Sequence, residues 1–194
     1  MADKRSIGDV IPADCELIQV RVTDLRQLFN PIDPSPPREK DLAAQPEEFI
    51  VAWARTAKRD ARLALQVDVD TAASSDEAST VGDAVREFFH QRSLSANRRL
   101  RQLFRVGRTS LAIGVAALAA AVILASLIER ALGDRAIGAL LRETLVIGGW
   151  VAMWRPIEIF LYDWWPIRAE RKLYDRLSVM PVTVTLANTA DAAR

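Results

Sequence analysis

The feature that most constrains this chain is an uncharged run, Ser110–Ile128, which is 19 residues long. A helix of that length spans roughly 28 Å, close to the ~30 Å hydrocarbon core of a bilayer. The alternative is a buried helix of a soluble protein, but the remaining chain is too small to cover such a helix on all sides. The run therefore predicts a transmembrane helix at residues 110–128.

A second apolar stretch follows at residues 137–157, after a short charged segment at 129–136 that reads as an external turn. Folding the chain back at this turn places Ser110 opposite about Ile157. An alternative register, Thr144–Trp164, puts Arg155 and Glu158 in mid-membrane, at a cost of at least ~2.5 kcal/mol for each central charge. The first register avoids that cost, so we predict a second transmembrane helix at 137–157.

Charge is segregated along the chain. Residues 1–80 carry 10 Lys and Arg against 15 Asp and Glu, whereas residues 81–108 carry 7 against 2. This pattern predicts an acidic cytoplasmic head at 1–80 and a basic juxtamembrane helix at 81–109. After the second span we predict a cytoplasmic interfacial helix at 158–178 and a strand at 179–187 that returns to the head.

Period-two alternation of apolar and polar residues predicts three strands, at 16–23, 63–70 and 182–186. Helical spacing predicts one packed helix at 47–61, and four prolines between residues 31 and 37 predict a loop. The expected fold class is α+β: a small three-stranded cytoplasmic head with one packed helix, plus a long antiparallel two-helix transmembrane hairpin.

Basic residues flank the two predicted spans on the same side. They are Arg98, Arg99, Arg101, Arg105 and Arg108 before the first span, and Arg168, Arg171 and Lys172 after the second. The positive-inside rule then places both termini in the cytoplasm. Such a collar could also bind nucleic acid, but no groove-reading motif accompanies it. Anionic lipid headgroups explain it better, at ~1 kcal/mol per basic residue.

Two groups of charged residues lie in or beside the second span. Arg142 and Glu143 lie inside it, and an ionisable residue there is a functional candidate. The alternative is that they neutralise each other or pair with Glu129 and Arg130 across the hairpin.

Nearer the cytoplasm, an interface clamp is predicted from Arg155, Glu158 and Asp163. In the hairpin register its carboxylates lie opposite Arg108 and Arg105, so we predict ion pairs between the helices. A catalytic carboxylate pair at the lipid surface is the sharper alternative.

Other motifs are sparse. The chain has one cysteine, Cys15, and one histidine, His90, so neither a disulfide within the chain nor a Cys/His metal cluster is expected. No catalytic, cofactor-binding or metal-binding residue is predicted. Small residues four apart on the first span, and Gly148, Gly149 and Ala152 on the second, favour close helix contact. That contact would lie within the hairpin, in an oligomer, or in both.

Several motifs resemble an uncharacterised family of bacterial two-span inner-membrane proteins. They are Arg142-Glu143-Thr144, Gly148-Gly149-Trp150, Trp154-Arg155-Pro156, Tyr162-Asp163-Trp164-Trp165-Pro166, Leu28-Phe29-Asn30 and Asp33-Pro34-Ser35-Pro36. The resemblance covers most of the chain and implies bacterial inner-membrane residence. It supplies no activity and therefore no functional residues.

The function we expect is that of a non-enzymatic, membrane-anchored adaptor or scaffold. Its partners would be a bilayer with anionic headgroups and either further copies of the chain or another membrane protein, with no nucleic acid. One alternative is an accessory or oligomeric transport component that uses Arg142 and Glu143. Another is a membrane-surface enzyme that uses Glu158 and Asp163.

Overall fold

The computed structural model describes residues 5–58, 60–71, 75–132 and 136–186. The chain forms two compact units. One comprises residues 1–95 and 170–194, which we call the head, and the other comprises residues 96–169, which we call the hairpin.

The head is built on a four-stranded sheet in the order β1-β4-β3-β2. The strands are β1 (Arg5–Gly8), β2 (Cys15–Val22), β3 (Arg62–Val69) and β4 (Val182–Leu186). β2, β3 and β4 run parallel, and β1 pairs antiparallel with β4. Parallel neighbours need long crossover connections. Helix α1 (Ala44–Thr56) supplies the first, and the segment between β3 and β4 supplies the second.

One face of this sheet is apolar because alternate residues of the parallel strands point the same way. Ile18, Leu65 and Val182 lie in register, and all three are buried. Helix residues complete the core on this side: Ile50, Val51 and Ala54 of α1, Val81, Val85, Phe88 and Phe89 of the next helix, and Leu173, Tyr174 and Leu177 near the end of the chain. The opposite face is polar, with Gln19, Gln66 and Thr183 in register.

The prediction of three strands was one short, because β1 was missed. Its four residues carry no alternating pattern that could have revealed it. Tertiary contacts hold the segment: Gly8 has φ +123°, and a Cβ there would lie 2.5 Å from the carbonyl oxygen of Val182. Next to it, the Asp9 carboxylate accepts a hydrogen bond from the Val182 amide at 3.1 Å and pairs with Arg86. Burial opposes the charge of Arg86, but hydrogen bonds to Asp83 and Asp9 outweigh it and raise its pKa.

The proline-rich segment forms an ordered loop, as its composition predicts. Phe29 and Leu42 form an isolated bridge at its base. Within it, the two carboxylate oxygens of Asp33 accept the amides of Ser35 at 2.9 Å and Asp41 at 2.8 Å. The amide of Asp41, followed by the side chain and amide of Ser35, lowers the pKa of Asp33. The loop is therefore stabilised by an ionised carboxylate.

Polar contacts join the helices of the head. Arg92 donates to the Glu47 carboxylate of α1 at 2.6 Å, and its guanidinium lies 5.0 Å from the centre of the Phe88 ring. Tyr174 stacks on Phe89 with ring centres 6.2 Å apart. Burial, followed by the nearby Glu170 carboxylate, raises the pKa of Tyr174. These contacts tie together three segments that are distant in sequence.

The long helices differ from the predicted domain boundaries. Helix α2 (Ser75–Leu132) is continuous, so it contains the end of the predicted head, the predicted juxtamembrane helix and the predicted first span. Helix α3 (Ala136–Glu158) continues through a π-helical turn, Ile159–Asp163, into α4 (Trp164–Ser178). Both ends of the predicted turn at 129–136 are helical, and its residues 133–135 lie outside the described residues. Pro156 lies inside α3.

Candidate functional site: an exposed apolar hairpin

The hairpin unit contains two helical segments that are long and apolar enough to span a membrane. Of the 18 consecutive residues that are most apolar in each segment, only 17% in the first and 11% in the second are buried within the chain. The core helix of a soluble protein is mostly covered by its own fold, so this exposure argues against that interpretation.

The two helices of the hairpin meet along one narrow seam. On α2 the buried or partly buried positions include Gly107, Gly114, Leu118, Ala121 and Ala125, at spacings of three, four and seven residues. Such spacing is typical of helices that pack at a small crossing angle. Outside the seam, large apolar side chains are exposed around both helices: Leu111, Ile113, Val115, Val122, Ile123, Leu124, Leu127, Leu140, Leu141, Ile147, Trp150, Val151 and Trp154.

Glycines bring the two backbones close together. A Cβ on Gly114 would lie 3.0 Å from the carbonyl oxygen of Ala152, and one on Gly149 would lie 3.1 Å from the Cβ of Ala121. Pro156 has no amide hydrogen, so the Ala152 carbonyl lacks its usual helical donor at the point where it faces Gly114. These contacts agree with the register predicted from folding at residues 129–136.

Sequence reasoning found only part of this seam. It grouped Gly148 with Gly149, but a Cβ on Gly148 would meet nothing within 4 Å, so only Gly149 belongs to the seam. It did not identify Gly107 or Gly114. The seven-residue spacing of Gly107, Gly114 and Ala121 was the signal that could have revealed them.

The predicted interface clamp is present in a different form. Arg155 lies 2.9 Å from the Glu158 carboxylate and 3.5 Å from that of Asp163, so all three charges pair along their own helical segment. Among the described residues, the predicted pairs with Arg108 and Arg105 are not formed, and that prediction is wrong. Arg108 instead donates to the Phe104 carbonyl at 3.4 Å. Arg155 and Glu158 are spaced i,i+3 on one helix, so their pairing needs no approach between helices. Asp163 lies eight residues beyond Arg155, at the end of the π-helical turn.

The predicted intramembrane charges lie near the end of the hairpin where the two helices are connected. Arg142 lies 3.9 Å from the Glu129 carboxylate, and both side chains are about half exposed or more, at 49% and 64%. This contact is the pairing across the hairpin that the sequence offers as the alternative to a functional role for Arg142. Glu143 is exposed on α3.

The basic collar lies on the surface of α2 and α4. Arg101, Arg105 and Arg108 are exposed, and Arg98 and Arg99 lie one to two turns earlier on the same helix. On the second segment the Arg168 guanidinium lies 5.4 Å from the centre of the Trp164 ring, while Arg171 lies 3.7 Å from Asp175. Lys172 is exposed next to them. Exposed tryptophans accompany this end of the hairpin: Trp154 and Trp165.

Comparison with protein-family models, with curated proteins and with solved structures finds no significant match to this chain. The resemblance to bacterial two-span proteins therefore stays a prediction.

Proposed function

We propose that this chain is a non-enzymatic, membrane-anchored adaptor of the bacterial inner membrane, with its head and both termini in the cytoplasm. The observation that carries the proposal is the hairpin surface, where large apolar side chains of both helices are exposed outside one seam. Lipid is the solvent in which such a surface is stable, because helices satisfy nearly all of their backbone groups internally.

The distribution of charge supports the orientation. The collar on α2 and the basic residues of α4 flank the hairpin at the end where the chain enters and leaves it. Only Arg130 and Arg135 stand in the connecting turn of the sequence. Basic residues are retained in the cytoplasm, and the tryptophans at the same end match the preferred position of indole rings in the headgroup layer.

The contacts of the charged residues favour an adaptor over the two alternatives. Glu158 and Asp163, the carboxylates that a membrane-surface enzyme would use, are both paired with Arg155. Arg142, which a transport component would use, is paired with Glu129. Pairing of this kind neutralises these charges within the chain and does not require a catalytic or transport role.

Cysteine labelling tests the anchoring and the orientation. Cys15 is the single cysteine, so a Cys15→Ser background accepts one reporter at a time. We expect Ala131→Cys, at the end of α2, to react with a membrane-impermeant maleimide on intact bacterial cells. The matched variant Ala52→Cys, exposed on α1, should react only after permeabilisation. Equal labelling of both in intact cells, or release of the chain from membranes by alkaline carbonate, contradicts the proposal.

Substitution of the paired charges tests the alternatives. The adaptor proposal predicts that the double variant Arg142→Gln, Glu143→Gln inserts normally and leaves the ion permeability of reconstituted vesicles unchanged. A flux in vesicles with the native chain that this variant abolishes, with assembly intact, supports a transport component instead. For an enzyme, any activity should disappear when Glu158 and Asp163 both become amides.

A further inference from the structure

The sheet of the head has one long free edge. β2 stands at the end of the strand order, and it is eight residues long. The Asp70 amide donates to the Val22 carbonyl, so the even-numbered residues of β2 direct their backbone groups toward β3. The odd-numbered residues Leu17, Gln19 and Arg21 therefore direct their N–H and C=O groups away from the sheet. The backbone groups of these three residues form no hydrogen bond with any described loop or helix.

This edge is unusual because natural proteins protect such strands. Short length, proline, inward-pointing charges or a covering loop are the common devices. β2 contains no proline and is twice as long as β1, the strand at the other edge. An edge of eight residues without proline is the kind of template that strand addition uses.

A groove of about 800 Å³ lies beside the free edge, at the end where β2 meets the proline-rich loop and α1. Its lining is mixed: apolar residues, among them Val20, Val22, Phe29, Pro31, Pro46 and Phe49, alternate with polar ones that include Arg21, Asp24, Arg26, Gln27 and Gln45. Phe49 is 49% exposed, although its neighbours on the same helix, Ile50 and Val51, are buried. The groove therefore offers apolar surface on the same side of the sheet as the core.

One charge in the groove has no counterpart. Arg21 pairs with Asp70 at 3.1 Å, and the Asp24 carboxylate accepts the backbone amide of Arg26 at 2.8 Å. Arg26 is among the residues that line the groove, and it makes no ion pair with any described carboxylate. It lies just beyond the carboxyl end of β2, so it can accept a carboxylate from a segment laid along the edge.

We propose that this edge and groove bind an extended segment of another protein by strand addition. The backbone of that segment pairs with Leu17, Gln19 and Arg21, alternate apolar side chains enter the groove against Phe49, and a carboxylate near one end pairs with Arg26. The site deepens the adaptor role proposed above, and it rests on that role only for the claim that the occupant is another protein.

The test uses the full chain in lipid nanodiscs and a fluorescein-labelled peptide, Glu-Thr-Val-Thr-Val-Thr-Val-Glu, followed by fluorescence anisotropy. Gln19→Pro removes an outward N–H without touching the ladder to β3, because proline is tolerated at an edge. We expect it to weaken binding by about tenfold or more, while the matched variant Gln19→Thr binds as the native chain does. Arg26→Glu should also weaken binding by about tenfold, and exchange of both peptide glutamates for lysine should restore it.

A second measurement leaves the protein unchanged, so it does not depend on the folding of a variant. Two peptides carry N-methyl groups on complementary sets of alternate residues. Strand addition predicts that one binds normally and the other does not, because only one set of amides faces β2. Equal affinities for the two peptides, or undiminished binding by Gln19→Pro, overturn the proposal.

Mass photometry of the same nanodisc samples identifies a second copy as the occupant. If the samples contain dimers that Gln19→Pro dissociates but that the peptide does not displace, β2 pairs with β2 of a second copy. That result also overturns the proposal.

Labelling of Ala131→Cys separates the claim of an edge site from the claim of a membrane anchor. Failed peptide binding with normal labelling refutes the edge site alone, whereas abnormal labelling refutes the membrane anchor alone.

Discussion

A matched pair of glycine substitutions tests the seam of the hairpin. Gly148 and Gly149 are adjacent on α3, but only Gly149 faces α2. A Cβ on Gly149 would lie 2.9 Å from the Leu118 Cδ1, 3.1 Å from the Ala121 Cβ and 3.3 Å from the Leu118 Cα. The first of these atoms can rotate away, but the other two move only if the backbones separate. Gly148→Leu would meet nothing within 4 Å of its Cβ.

The expected magnitude follows from these contacts. Forcing extra carbons into a packed contact costs about 1–3 kcal/mol, and the backbone atoms beside Gly149 place Gly149→Leu toward the upper end of that range. Both variants gain the same helix propensity, about 0.5–1 kcal/mol on replacing glycine, so that gain cancels in the comparison. Gly149→Leu should therefore be less stable than Gly148→Leu by about 2–3 kcal/mol.

The assay is unfolding of the full chain by sodium dodecyl sulfate in mixed micelles, followed by tryptophan fluorescence. The chain has five tryptophans, and four of them, Trp150, Trp154, Trp164 and Trp165, lie in the hairpin unit. We expect the midpoint to fall for Gly149→Leu and to stay near that of the native chain for Gly148→Leu. Equal midpoints for the two variants, or a larger loss for Gly148→Leu, would refute the assigned seam.

Three further predictions concern the head. Arg92→Ala should lower its stability by about 1 kcal/mol in chemical denaturation, because a short but partly exposed ion pair with Glu47 is lost; an unchanged midpoint would contradict this. Asp33 has a lowered pKa in the folded chain, so its contribution is present at neutral pH and disappears as the pH falls below its ordinary pKa of 3.8. Asp33→Asn should therefore flatten the acid limb of a plot of melting temperature against pH, and an identical limb would exclude that role. Tyr174 has a raised pKa, so the unfolded chain releases the phenol proton first, and stability should fall as the pH rises above 10.0, the ordinary value. That decline should be smaller in Tyr174→Phe, and the same decline in both chains would show that other groups cause it.

The features predicted correctly from the sequence are those written in local patterns. The strands near residues 16–23, 63–70 and 182–186 carry an alternation that requires one buried face, and β2, β3 and β4 form there. The 19-residue uncharged run requires a long apolar helix, and α2 contains it. Both patterns act through the spacing of neighbouring side chains, so no knowledge of the rest of the chain is needed.

The features missed from the sequence depend on partners distant along the chain. β1 forms because β4 offers its edge to residues 5–8, and a four-residue segment has no pattern of its own. The carboxylates of Glu158 and Asp163 had two sets of arginines within plausible reach, and spacing alone could not choose between them. The structure pairs both with Arg155. For Glu158 the helix itself sets the distance, because the two residues are spaced i,i+3.

By itself, the sequence determined that this chain has an α+β head and two helices long and apolar enough to span a membrane, because hydrophobic period and length are properties of consecutive residues. Only the tertiary structure decided the strand order, the glycine seam and the free edge of β2. Each of these depends on which surfaces meet, and that is settled by the packing of the whole fold rather than by any single segment.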